Sequence, residues 1–231
     1  GREIKALAQI TKQGFVYTFD RETGEPVWVI EEREVPQEPL IPGERLSATQ
    51  PFPTKPPPFE GQGLTVADLV DFTPELRAEA EQIIADYTYG SLFTPPSLSI
   101  PGGNRGTILR PSAGGGANWM GAAVDPETGI LYVPSSDSIS VPVVVETNPD
   151  ESTLRYRRIS YAGARGPEGL PLLKPPYSTI TAIDMNRGEI LWQVPNGNRA
   201  PNVENNPAVE GIDLPPLGGG GRNPILATPS M

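Results

Sequence analysis

Two side chains are missing altogether: the 231 residues contain neither cysteine nor histidine. Their absence excludes zinc fingers, disulfide frameworks, thiol nucleophiles, Ser-His-Asp triads and c-type haem attachment within this chain. Zero cysteine suits an oxidising compartment as well as a reducing one. No apolar run is long enough to cross a bilayer as a helix. No initiator methionine or signal-like leader heads the sequence, which opens on Gly1-Arg2-Glu3 and stops at Met231 with an apolar run barely begun. The chain reads as a fragment with sequence on both sides, and a leader would lie upstream. Positive charge is also scarce. Lys and Arg number 18 against 28 Asp and Glu, a net charge of −10. With no basic stripe offsetting that excess, nucleic acid and anionic lipid are not expected partners.

Glycine and proline are abundant, at 25 and 29 residues. They favour short strands joined by turns and long irregular loops over helices. At 37% hydrophobic and 20% charged, the chain can bury a core. The expected class is all-β, as one domain or a piece of a larger one.

Strand formers dominate residues 4–10 and 15–19. A turn at Asp20-Arg21-Glu22-Thr23-Gly24 follows, and Pro26-Val27-Trp28-Val29-Ile30 returns as the next strand. Residues 31–65 are crowded with proline and charge and predict an extended loop without regular pairing. Thr65 opens one short helical turn. Thr73 followed by Pro74 opens the one good helix, over 74–87, with Leu76, Ala80, Ile83, Ile84 and Tyr87 on one face. Strands resume at 106–109, 121–124 and 130–133, the last two flanking a turn at Asp125-Pro126-Glu127-Thr128-Gly129. Residues 146–176 predict another irregular loop.

Residues 178–194 then repeat the opening. Phe19-Asp20 with Gly24-Glu25 and Trp28 matches Ile183-Asp184 with Gly188-Glu189 and Trp192, at the same spacing. Two such strand–turn–strand units suggest a repeated β element such as a propeller blade. Asp starts each turn by bonding its own backbone, Gly closes it, and Trp packs against the neighbouring unit.

The Asp-x-x-x-Gly-x-x-x-Trp unit resembles the tryptophan-docking motif of quinoprotein dehydrogenases, which use pyrroloquinoline quinone (PQQ). Ile10-Thr11-Lys12-Gln13-Gly14, continuing into Asp20–Pro26 and Glu31–Gln37, resembles their membrane-associated glucose/quinate branch. So do Thr49-Gln50-Pro51-Phe52, Phe93-Thr94-Pro95-Pro96-Ser97 and Asn118-Trp119-Met120-Gly121. The resemblance implies a fragment of an eight-bladed β-propeller with a Pro-rich insertion and a short helix. The end of one blade would occupy 1–30, the insertion with its helix 31–105, a further blade 106–195, and a loop with the start of the next blade 196–231.

The activity it implies is PQQ- and Ca²⁺-dependent oxidation of a sugar or alcohol hydroxyl, with electrons passed to ubiquinone or cytochrome c. The calcium ligands and the general-base Asp would lie upstream of this chain, so the fragment is expected to be inactive by itself. The implied setting is the periplasm, with attachment to the inner membrane through segments outside the chain. Three residues carry over as cofactor contacts. Lys12 matches the cation that bonds the ortho-quinone oxygens and stabilises charge developing there. Asn118 matches an Asn that touches PQQ in the alcohol dehydrogenase branch, and Trp119 is its neighbour. Gly114-Gly115-Gly116 would let backbone approach the cofactor closely.

Each has a plainer reading: Lys12 as a surface lysine at a strand end, Asn118 as a turn residue. Trp28 and Trp192 are structural, Glu31-Glu32 and Asp20/Glu22 are solvated faces, and Asp125 with Glu127 offers too few ligands for calcium. The Gly114–Gly116 run lacks the Lys-Ser/Thr and following helix of a phosphate loop. Gly218–Gly221 reads as a flexible turn. The alternative function is a non-catalytic β-propeller scaffold that binds protein partners.

Overall fold

A computed structural model describes residues 3–228. β1 (Ala6–Ile10) and β2 (Val16–Asp20) pair antiparallel, Ile10 opposite Val16, and their tight connection carries Lys12. The largest sheet is antiparallel with strand order β10-β9-β6-β5. It comprises β5 (Ala123–Asp125), β6 (Ile130–Ser136), β9 (Ser178–Asp184) and β10 (Glu189–Pro195). Leu131, Val133 and Ile183 lie inside on the central strands, and β9 is buried on both faces. Ser135 and Thr179 share a buried hydroxyl–hydroxyl bond of 2.9 Å, so neither is left unpaired.

Three turns have the same construction. Asp20, Asp125 and Asp184 each accept, through Oδ1, the backbone N–H two residues on, at 2.8–2.9 Å. The glycines that close them, Gly24, Gly129 and Gly188, have positive φ. The Trp docking expected from the repeat is present: a Cβ on Gly188 would lie 3.0 Å from the Trp28 ring. One repeat's tryptophan therefore packs on the other repeat's turn. Trp192 is 43% exposed beside Tyr132, ring centroids 6.0 Å apart.

Several sequence expectations need correction. Pro26–Ile30 is not a continuous strand. A single bridge joins Phe19 to Pro26, and Ile30 instead begins β3 (Ile30–Glu34). The 31–65 segment does pair: β3 runs antiparallel to β4 (Thr49–Pro53), Arg33 opposite Gln50. Prolines 51 and 53 are tolerated because a two-stranded sheet leaves each strand an outer edge. Side chains supply what the backbone cannot. Phe52 stacks edge-on between Phe15 and Phe93, centroids 5.5 and 5.6 Å away, with the Arg33 guanidinium 5.2 Å over its ring. Residues 146–176 likewise contain a strand, β8 (Tyr156–Ala162), paired with β7 (Val141–Glu146).

The helix forms as the caps require. α1 (Pro74–Ile84) starts at Thr73, whose hydroxyl accepts the Leu76 N–H at 3.2 Å, with proline in the first turn. It ends at Ile84 rather than 87, and a four-residue turn, α2 (Pro201–Glu204), is a second helical segment. Leu76, Ala80 and Ile84 face inward. They join two clusters built largely from the insertion and the 141–217 loops, including Leu69, Val70, Leu170, Leu172 and Leu217. A third cluster lies between the two β units and holds Ile10, Val16, Phe59, Ala117, Leu131, Val133 and Ile183. It fixes the β1–β2 hairpin end against the 112–118 loop.

Candidate functional site

The hairpin end and the 112–118 loop meet around glycine. Gly116 N–H donates to Lys12 O at 2.9 Å, and Gly115 N–H to Ser112 O at 2.7 Å. Gly115 has φ 80°, and a Cβ there would come within 2.6 Å of the Lys12 backbone and stem. Only glycine allows this approach. Lys12 itself is exposed, and its Nζ donates to Ala113 O at 3.2 Å. Asn118 is half-buried and reaches back to the same loop: its Nδ2 donates to Gly114 O at 3.2 Å, while its Oδ1 accepts the Trp119 N–H at 2.9 Å. A third group arrives from the far end of the chain. Arg222 Nη1 donates to Gly114 O at 2.8 Å and also to Gly115 O.

Behind this loop lies a buried charge cluster. Arg110 forms a bidentate pair with Asp137, Nε to Oδ1 at 2.8 Å and Nη2 to Oδ2 at 2.6 Å, and its Nη1 meets Asp68 at 2.8 Å. Burial alone would lower the arginine's pKa, but bonds to Asp137 and Asp68 outweigh it and hold Arg110 protonated. Asp68 shows the same balance. Burial opposes its charge, yet hydrogen bonds from Thr65 and Arg110 bring its pKa below the usual carboxylate range. Glu60 fares differently. Its Cβ–Cγ stem packs on Gly116, whose own Cβ would lie 2.6 Å from Glu60 Cγ. Burial, and then the nearby Asp137 charge, push its pKa from 4.5 to about 7 against the opposing pull of Ser135, Arg110 and Gly61. Its Oε1 is buried with no hydrogen-bond partner.

The structure thus brings Lys12 and Asn118 against the same 113–115 backbone. Trp119 joins them only through its backbone; its side chain is 87% exposed. Sequence reasoning missed Glu60, the Arg110–Asp137–Asp68 cluster and Arg222. The signal for Glu60 was an acid set between Phe59 and Gly61, and for Arg222 a lone cation after four glycines. Arg110 and its acids are far apart in sequence and gave no signal. Asp125 is committed to its turn, with Oδ2 accepting from Thr128 Oγ1 at 2.6 Å. Among the described residues no group of three or more acidic side chains could hold a metal ion.

Known proteins match the same ground. The PQQ family profile described as "Glucose/ethanol/alcohol dehydrogenase, beta-propeller domain" covers residues 1–221. The chain belongs to this PQQ dehydrogenase propeller family. Glycerol dehydrogenase large subunit of Gluconobacter oxydans (strain 621H) is 32% identical, over 87% of this chain and 30% of the relative. Quinate/shikimate dehydrogenase (quinone) of Acinetobacter baylyi is 28% identical, over 81% of this chain and 25% of the relative. Quinoprotein glucose dehydrogenase A of Acinetobacter calcoaceticus is 26% identical, over 95% of this chain and 29% of the relative. The chain therefore spans less than a third of these relatives' length. Membership fits the sheet architecture: an antiparallel four-stranded sheet whose neighbour docks through Trp28. The described residues also suit the cofactor. PQQ is a flat, tricarboxylated ortho-quinone, and the loop offers it closely packed glycine backbone, an amide and two cations. Neither Lys12 nor Arg222 has a carboxylate partner among the described residues.

Proposed function

We propose that this chain is the Lys12-bearing portion of a PQQ- and Ca²⁺-dependent dehydrogenase that oxidises a sugar or alcohol hydroxyl and passes electrons to a quinone or a cytochrome c. The observation that carries the reading is the seating of Lys12 on Gly115, beside Asn118, in a chain of this family. When bound, the cofactor supplies the two-electron acceptor for the hydroxyl-bearing carbon. Lys12 lies on an exposed hairpin end, free to swing its ammonium from Ala113 O toward an anion. Its charge there stabilises negative charge developing on quinone oxygens. Asn118 Nδ2 adds a neutral donor from the facing 112–118 loop. Glu60 can hold a proton on its buried carboxyl at neutral pH, which limits negative charge beside the cations. The base that takes the substrate proton and the calcium ligands belong to segments upstream. The four-stranded sheet is read as one blade, and β1–β2 as part of the blade before it. Glycerol, quinate and glucose, named in the relatives, define the range of substrates to test, and the periplasm is the proposed compartment.

The test uses the full-length protein containing this chain, reconstituted with PQQ and Ca²⁺. Dye reduction is followed with a panel of sugars, polyols and simple alcohols, with a Lys12→Ala variant alongside. Turnover in wild type and loss of roughly a hundredfold or more in the variant, with PQQ still bound, supports the reading. A wild type that binds no PQQ refutes it.

A further inference from the structure

The Gly218–Gly221 run leads into a residue that neither the motif nor the family match assigns. We propose that Arg222 is a second cofactor-binding cation, which takes an anionic carboxylate of PQQ beside the Gly114–Gly115 backbone while Lys12 serves the quinone oxygens. The inference rests on the function proposed above. Its basis is convergence. Lys12 packs on Gly115 from one side and donates to Ala113 O, while Arg222 donates to Gly114 O and Gly115 O. Three successive carbonyls are thus engaged by two cations that come from opposite ends of the chain.

No carboxylate neutralises either cation among the described residues, in a chain with a net charge of −10. Carbonyl oxygens are weak partners for full charges. Among the described residues Arg222 is engaged through Nη1, so the rest of the fork keeps donors for a ligand. Guanidinium matches carboxylate geometry with parallel donors. Glu60 packs its stem on Gly116 with Oε1 buried, and it forms no ion pair with either cation among the described residues. It does not compete for the cations. Gly221 keeps the arginine in place: its N–H donates to Ser178 Oγ at 2.9 Å and its carbonyl accepts from Asn196 Nδ2 at 2.6 Å.

The experiment compares PQQ with its trimethyl ester, which keeps the quinone but loses the carboxylate charge. Both are titrated into the full-length apoprotein, wild type and Arg222→Gln, by fluorescence quenching. Wild type is expected to prefer PQQ, and the variant to lose roughly tenfold or more of that preference, as removal of one charge-assisted bond implies. Equal weakening toward both ligands means that Arg222 only braces the loop and overturns the proposal; so does unchanged binding. If wild type fails to bind PQQ at all, the proposed function falls together with this inference, a result distinct from failure in the variant alone.

Discussion

Replacing Glu60 with Gln tests the electrostatics of the site without removing a side chain that packs. Burial and the Asp137 charge raise the Glu60 pKa from 4.5 to about 7. In the folded state the carboxyl therefore stays protonated over a range where the unfolded chain has already released the proton. Folded protein binds more protons between these two values, so stability falls as pH rises through the window. The contribution is fully present below 4.5, and by about pH 8 the loss amounts to about 3 kcal/mol. Glutamine cannot ionise, so the Glu60→Gln protein escapes that loss. Its denaturant midpoint should match wild type at about pH 4 and exceed it by an amount worth about 3 kcal/mol at about pH 8. The difference curve should bend between those limits, while infrared spectra of wild type lose a protonated-carboxyl band near neutrality. A difference that is flat with pH would show that Glu60 is ionised normally and that its neighbourhood is wetter than its packing against Gly116 indicates.

Two further substitutions probe the scaffold. Arg110→Gln leaves Asp137 buried beside Glu60 without its bidentate partner, and should cost about 3–5 kcal/mol in chemical denaturation. Asp137→Asn in the same background should recover part of that loss, because the uncompensated charge is gone. Gly188→Ala forces an L-residue into a left-handed conformation and drives a methyl against Lys55 Cβ and the Trp28 ring, for a total of about 2–4 kcal/mol. Gly24→Ala has the same backbone problem but open space around it, so it should cost only about 1–2 kcal/mol. Thermal unfolding of the pair isolates the crowding from Lys55 and Trp28 together, and equal shifts would mean that neither packs on that turn.

The local rules of the chain were legible in its sequence. The Asp-to-Gly turns, the Thr73 cap, the Trp repeat and the strand formers of β6 and β9 all act over a few residues, so propensity and period expose them. The 10–28 stretch also carried enough pattern to point to the family. What the sequence hid was whatever depends on partners distant along the chain. β3 and β4 pair despite their prolines because Phe15 and Phe93 clamp Phe52 from outside the hairpin. Strand β8 reads as loop because its face is exposed throughout and shows no apolar alternation; its order comes from β7. Arg110 meets Asp68 and Glu60 meets Gly116 only once the insertion folds back over the sheet, and Arg222 meets Gly114 only when the C-terminal segment reaches the 112–118 loop. Hydrophobic spacing and turn chemistry are short-range and written residue by residue. Charge burial and cation convergence are properties of the folded space between segments, and only tertiary structure decides them.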